Sequence, residues 1–153
     1  MKEENRNFLK AVFPDMTDGE IDKLPQAYDK WVSKRREWPH YYKMVAECYS
    51  SKYCILGIKE GDKFVLYGAL LNKEETTAPQ CLLAISSLVR YYYIFEERMI
   101  LGCDDPNKDL LLPTSRCEDM GIEDGGLGSV KFRIRFEKVS KEEWAEARRP
   151  RTK

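Results

Sequence analysis

The chain is poor in the residues on which many active sites are built. It has one histidine, His40, in 153 residues. A Ser-His-Asp or Cys-His device would depend on that single side chain. It stands between Pro39 and the pair Tyr41-Tyr42, where the character of the sequence changes, and reads as a junction residue rather than a catalytic base. A histidine-rich zinc site is excluded for want of ligands. An excess of charge of one sign is also missing. Lys+Arg and Asp+Glu each number 26, so no net field draws the chain to DNA, RNA or an anionic membrane. No apolar run reaches the ~18 residues that mark a membrane-spanning helix. The opening Met1-Lys2-Glu3-Glu4-Asn5 brings acids early and lacks the apolar stretch of a secretory signal. The expected location is therefore the cytoplasm.

Familiar loops are missing as well. No Gly-x-x-x-x-Gly-Lys-Ser/Thr phosphate loop occurs, and Gly125-Gly126-Leu127-Gly128 precedes a strand pattern rather than a helix. It reads as a flexible hairpin connection. Asp105-Pro106-Asn107-Lys108-Asp109 opens like a calcium loop, but Leu110 stands where that loop needs glycine and Arg116 where it needs glutamate. Repeats and low-complexity tracts are not evident.

What is present is a globular composition, 42% apolar and 34% charged. Residues 1–40 read as a helical N-terminal arm, 41–147 as an α+β body and 148–153 as a basic tail, the whole forming one domain. In the arm, Phe8, Leu9, Val12 and Phe13 share one face of a helix that Pro14 closes. Thr17-Asp18-Gly19-Glu20 is a capping box, and Pro25 suits the start of a third helix running to Trp38. That helix sets Tyr28, Trp31, Val32 and Arg35 on one side. In the body, residues 42–49 and 63–70 read as strands, with Met44, Ala46 and Cys48 opposite Val45, Glu47 and Tyr49. Thr76-Thr77-Ala78-Pro79 reads as the start of a long helix over 79–95 whose core stripe is Cys81, Ile85, Leu88 and Tyr92, joined by Leu82 and Val89. Within Tyr91-Tyr92-Tyr93 the spacing makes Tyr92 the core residue. An irregular acidic segment follows over 101–128, with a short strand expected near 110–112. Val130 to Phe136 alternates strictly, with Val130, Phe132, Ile134 and Phe136 inward and Lys131, Arg133 and Arg135 outward. Ser140-Lys141-Glu142-Glu143 is a second capping box, opening a helix around Trp144. The fold class is α+β: a small antiparallel sheet covered by one long helix and preceded by the helical arm.

The five cysteines, Cys48, Cys54, Cys81, Cys103 and Cys117, are odd in number and form no Cys-x-x-Cys pair, which argues against a disulfide framework in a reducing compartment. Three of them stand in a wider pattern. Cys54 is followed by Lys59-Glu60-Gly61-Asp62-Lys63-Phe64, then by Cys81 at a helix start, Cys117 in a late turn, and the strand from Val130 to Ile134. Over roughly residues 42–139 this resembles a family of small, uncharacterised bacterial and archaeal proteins whose pattern is Cys, Lys-x-Gly-Asp-x-Phe, Cys, Cys and Val-x-Phe-x-Ile. The family often has adjacent cysteines followed by Asp-Gly in the late turn, where this chain has Cys117 alone. The resemblance implies the body of the fold rather than an activity.

Three functional expectations follow. The first is a non-catalytic accessory subunit or protein-interaction module of a larger metabolic assembly, partnered by another subunit or by itself, with the arm and the cations Lys131, Arg133 and Arg135 as binding surfaces. The second is a metal- or redox-active protein in which Cys54, Cys81 and Cys117 ligate zinc or an iron–sulfur cluster, with Cys48, Cys103, His40 or a partner as fourth ligand, or act as reactive thiols. The third is a small-molecule enzyme or binding protein with a pocket between the 79–95 helix and the 101–128 loop, edged by Asp104, Asp105, Glu118 and Asp119.

Overall fold

The computed structural model describes residues 1–37, 41–103, 105–108, 110 and 112–147. The expectations that fall on Trp38, Pro39, His40, Asp104, Asp109, Leu111 and the basic tail 148–153 lie outside the described residues. The elements are α1 (Glu3–Val12), α2 (Asp18–Ile21), α3 (Ala27–Glu37), β1 (Tyr41–Lys52), β2 (Lys63–Tyr67), β3 (Leu70–Leu71), α4 (Leu82–Ile100), β4 (Thr114–Arg116), β5 (Ser129–Val139) and α5 (Lys141–Ala147). The strands form one antiparallel sheet in the order β3-β2-β1-β5-β4. This is the α+β fold expected, with one long helix on the sheet and a helical arm before it.

The sheet is built on the β1–β5 pair. It runs in register from Tyr41 opposite Val139 to Lys52 opposite Ser129, with a bulge between Cys48 and Ser50. Strict alternation then assigns each side chain to a face. Tyr42, Met44, Ala46 and Cys48 of β1, Phe64 and Leu66 of β2, and Val130, Phe132, Ile134 and Phe136 of β5 are buried in one cluster with α4. Phe64 meets Phe132 edge-on and Phe95 stacks on Phe136. The opposite face carries a smaller core of Val45, Val65 and Tyr67, with Val139, Trp144 and Ala147 packed against it.

The long helix differs from expectation in start and in phase. It begins at Leu82, with Cys81 as N-cap and no side-chain cap bond. The threonines have another task. Thr76 and Thr77 Oγ1 accept the backbone N–H groups of Val65 and Lys63, and the N–H groups of Thr77 and Ala78 return to the Lys63 carbonyl. Thr76 and Thr77 thus line strand β2 instead of capping a helix. The buried stripe is Ala84, Leu88, Tyr91, Phe95 and Met99, while Leu82 and Val89 are exposed. Of the expected stripe only Leu88 is fully buried. The helix is apolar on nearly every side, so its periodicity does not single out a face. The choice came from bonds to β4: Ser115 Oγ donates to Ser87 O, and the Tyr91 hydroxyl donates to Thr114 O. Tyr91, not Tyr92, is therefore the core tyrosine. A short strand lies at Thr114–Arg116; the segment expected to be a strand near 110–112 includes Leu111, which is outside the described residues.

The arm closes on Leu9, Ile21 and Val32, aided by Phe8, Met16, Leu24 and Trp31. The Thr17–Glu20 capping box forms with both of its bonds. Val12 and Phe13 are exposed, and Asn5 takes their place on the inner face of α1, its amide donating to Asp29 and Ser33. The arm meets the body through Arg35, whose guanidinium lies 3.0 Å from Glu96 on α4.

Candidate functional site

Three chain segments converge where α4 begins. The first leaves β1 through Tyr53, which adopts φ +56°, and enters a turn closed by the Gly57 N–H on the Cys54 carbonyl. The second is Cys81 and the first turn of α4. The third is the stretch from Cys117 to Gly128 between β4 and β5. Between them lies an apolar cavity of about 250 Å³, whose walls include Cys54, Cys81, Cys117, Ala84, Ile58 and Val130. The three cysteines singled out from the sequence, 63 residues apart at the extremes in chain order, thus line one cavity.

Each wall is fixed by identifiable chemistry. Gly61 takes φ +88° and gives its N–H to the Cys48 carbonyl, while Cys48 N–H returns to Asp62 O. The Asp62 carboxylate accepts the Lys59 N–H at 2.8 Å. Ser51 Oγ donates to Ile58 O, and Ile58 and Phe64 are buried. The Lys-x-Gly-Asp-x-Phe pattern is therefore a turn and a core anchor. The late loop is ordered by Asp119, whose Oδ1 accepts the N–H groups of Gly121 and Leu127 at 3.0 Å each. These backbone donors, Gly121 first, hold the Asp119 carboxyl below the usual aspartate range. The Gly-rich stretch is thus held by the Asp119 carboxylate at both ends of the loop. Gly128 has a strict requirement: a Cβ there would stand 2.8 Å from the Tyr53 carbonyl oxygen. Glu118 N–H bonds Leu83 O and ties the loop to α4.

The thiols differ in access. Cys117 is buried, and its sulfur accepts the Val130 N–H at 3.3 Å. Cys54 and Cys81 are half-buried on the cavity wall. Cys48 lies in the core on the same sheet face, where burial pushes its thiol pKa up. Cys103 lies beyond the far end of α4, held to Arg98 and Asp105; at ~1.5 Å per residue that helix separates it from Cys81 by roughly 28 Å. Neither adds a fourth ligand. Among the described residues no three His, Cys, Asp or Glu side chains are grouped to hold a metal ion, so the sharing of one cavity does not amount to a coordination site. Of the acids expected to edge a pocket, Asp119 lines the cavity, whereas Asp105 turns back to its own loop by accepting the Asn107 N–H and Glu118 is exposed.

The cavity opens onto aliphatic surface. Ile55 is 80% exposed and Leu82 79%, with Leu56 and Leu83 about half exposed beside them. A broader groove of about 510 Å³ lies on the arm, lined by Lys2, Gln26, Asp29 and Lys34 among others. Its long polar side chains bring no reactive groups together.

The sequence did not foretell a polar cluster on the other face of the sheet. The Tyr67 hydroxyl lies 2.6 Å from Glu75 Oε1 and 2.8 Å from Glu143 Oε1. Lys43 Nζ lies 2.6 Å from Glu75 Oε2 and 3.5 Å from Glu143 Oε1. Burial, and then the two carboxylates, push the Tyr67 pKa up. Burial opposes the charge on Glu75, but bonds from Lys43 and Tyr67 outweigh it and hold its carboxyl below the usual range. Glu143 was expected to complete a capping box. Its N–H does bond Ser140 Oγ, but its carboxylate goes to Tyr67 instead. This cluster clamps α5 to the sheet, with Trp144 against Tyr67 and Tyr41.

The outward cations also divide. Arg135 is spent on Glu47 and Glu137 at 2.7 and 2.8 Å. Arg133 lies over the Tyr49 ring, and Lys131 is exposed. No helix among the described residues is long and apolar enough to cross a membrane. Compared with known proteins, the chain matches no protein-family model, no curated protein and no solved structure.

Proposed function

We propose that the protein is a non-catalytic interaction module of a larger assembly, and that the cavity at the base of α4 receives an apolar side chain of its partner. One observation carries this reading: an apolar hollow stands open beside Ile55, Leu56, Leu82 and Leu83, which the chain leaves in water. Pockets that accept a single anchor side chain, ringed by water-excluding apolar contacts, are where binding energy concentrates in protein interfaces. At about 250 Å³ the hollow is below the ~300–1,000 Å³ usual for small-molecule sites, which favours an anchor residue over a metabolite. The half-exposed thiols suit the role as small apolar wall residues.

The test is a matched pair, the wild-type chain and Leu82→Glu/Leu83→Glu. Sedimentation reports self-association, and native capture from the source cells reports a second subunit. The reading expects dimerisation or a stoichiometric partner with the wild type and its loss in the variant. A chain that stays monomeric and captures only what the variant also captures would sink it. A second reading, a small apolar ligand, is favoured by the position of the cavity between α4 and the late loop. It expects a metabolite or fatty acid to raise the melting temperature of the wild type alone. The metal or redox reading rests on the three thiols and expects bound metal or a visible chromophore after anaerobic purification.

A further inference from the structure

We infer that the open half of the outer sheet face is a second docking surface, gripping an acidic, extended segment of a partner protein with Arg116, Lys131 and Arg133. The face has two halves of opposite electrostatic character. In the half under α5 the cations are matched: Lys43 by Glu75 and Glu143, Arg135 by Glu47 and Glu137. In the other half Arg116 stands directly across from Lys131, and Arg133, two residues along the same strand, faces Glu47 of β1, whose carboxylate is bonded to Arg135. Among the described residues none of these three has an ion pair with a carboxylate; Arg116 donates to the backbone carbonyls of Asp119 and Met120, and its charge also helps to hold the Asp119 carboxyl down. Like charges directly opposite on a sheet work against folding. Arg116 and Lys131 are thus left stacked and exposed, and the acid that faces Arg133 is taken by Arg135.

The spacing states what fits. Lys131 and Arg133 project from the same face of one strand, so they stand ~7 Å apart at ~3.4 Å per residue. Alternate carboxylates of an extended Asp/Glu segment have that same repeat. Arg116, on the neighbouring strand, makes the grip two strands wide. Arg133 is held over the Tyr49 ring at 5.4 Å, which limits the freedom it would lose on binding. The chain already uses this chemistry on the same face, where the acidic first turn of α5 sets Glu143 against Lys43. Charge complementarity favours protein over nucleic acid. Three cations are too few for the ~6–10 phosphate contacts of firm polyanion binding, whereas they match two or three carboxylates of a short acidic segment. Lys131 and Arg133 lie on the opposite side of the sheet from the thiol-lined cavity, and only Arg116 touches its late loop, through the Asp119 and Met120 carbonyls.

The experiment is fluorescence anisotropy at low salt with a short labelled polyglutamate peptide, and an oligothymidylate of equal length as the competing polyanion. The wild type is expected to bind polyglutamate more tightly than the oligonucleotide. Lys131→Glu/Arg133→Glu should weaken it by about tenfold or more, while Lys30→Glu/Lys34→Glu, the same charge change on the exposed side of α3, should stay within about twofold. Circular dichroism checks that each variant folds; should the glutamate pair fail, Lys131→Ser/Arg133→Ser is compared with Lys30→Ser/Lys34→Ser, and the sheet pair is again expected to lose more binding. No binding by the wild type, equal losses in the two charge-matched variants, or tighter binding of the oligonucleotide would overturn the inference. The Leu82→Glu/Leu83→Glu variant keeps this surface intact, so loss of cavity docking and loss of acidic docking are read separately.

Discussion

Tyr67→Phe probes the clamp that holds α5 on the sheet. The substitution keeps the ring, which is 1% exposed and packs against Trp144, and removes only the hydroxyl between Glu75 and Glu143. A hydrogen bond to a charged group contributes ~1.5–3 kcal/mol when one partner is lost. Two features lower the figure here. The Glu75 and Glu143 side chains are 32% and 46% exposed, so water can re-solvate them. Glu75 also keeps Lys43 and the Asn72 amide. The expected cost is therefore about 1–2 kcal/mol, or a fall in melting temperature of roughly 3–6 °C for a chain of this size. The assay is urea denaturation followed by tryptophan fluorescence and by far-ultraviolet dichroism. A double-mutant cycle with Glu143→Gln should return a coupling of about 0.5 kcal/mol or more, because the two side chains are in direct hydrogen-bond contact. A Tyr67→Phe chain as stable as the wild type, or strict additivity with Glu143→Gln, would refute the reasoning.

The same cluster gives a pH profile with two limbs. The Glu75 pKa is depressed in the fold, so its contribution is complete above the unfolded value of ~4.3 and is lost as pH falls through the lower folded value. The Lys43 pKa is raised, since the facing carboxylates outweigh burial, so its contribution is complete below ~10.4 and is lost as pH rises through the higher folded value. Melting temperature against pH should show both limbs, and Glu75→Gln should flatten the acid one; an unchanged acid limb would count against the assignment. Thiol mapping by timed alkylation and mass spectrometry should modify Cys54, Cys81 and Cys103, which are half-buried, before Cys48 and Cys117, which are buried. Early modification of Cys48 would contradict both its burial and its raised pKa.

Much of the body was legible because its signals are local. The alternation of Val130, Phe132, Ile134 and Phe136 needs only the two-residue period of a strand, and all four are buried against α4. The Thr17–Glu20 box closes within four residues. Reading failed where a local motif had a distant competitor. Thr76 and Thr77 resemble helix caps, but their hydroxyls meet strand β2. Glu143 resembles the closing acid of a capping box, but Tyr67 is 76 residues away in sequence and adjacent in space. The phase of α4 was illegible because Leu82, Leu83, Val89 and Ile94 are as apolar as the residues that became core.

By itself, then, the sequence determined the element types, the strand faces and the α+β class, because those follow from periodicity, caps and breakers within a few residues of each other. It also marked Cys54, Cys81 and Cys117 as residues of interest. Only the tertiary structure decided that the three line one cavity, because β1–β5 register and the close approach of Gly128 to Tyr53 set where their segments meet. It alone separated Arg135 from Lys131 and Arg133: Glu47 stands across from Arg133, yet its carboxylate bonds Arg135. In both cases the deciding contacts are long-range, and no window of the sequence contains both sides of them.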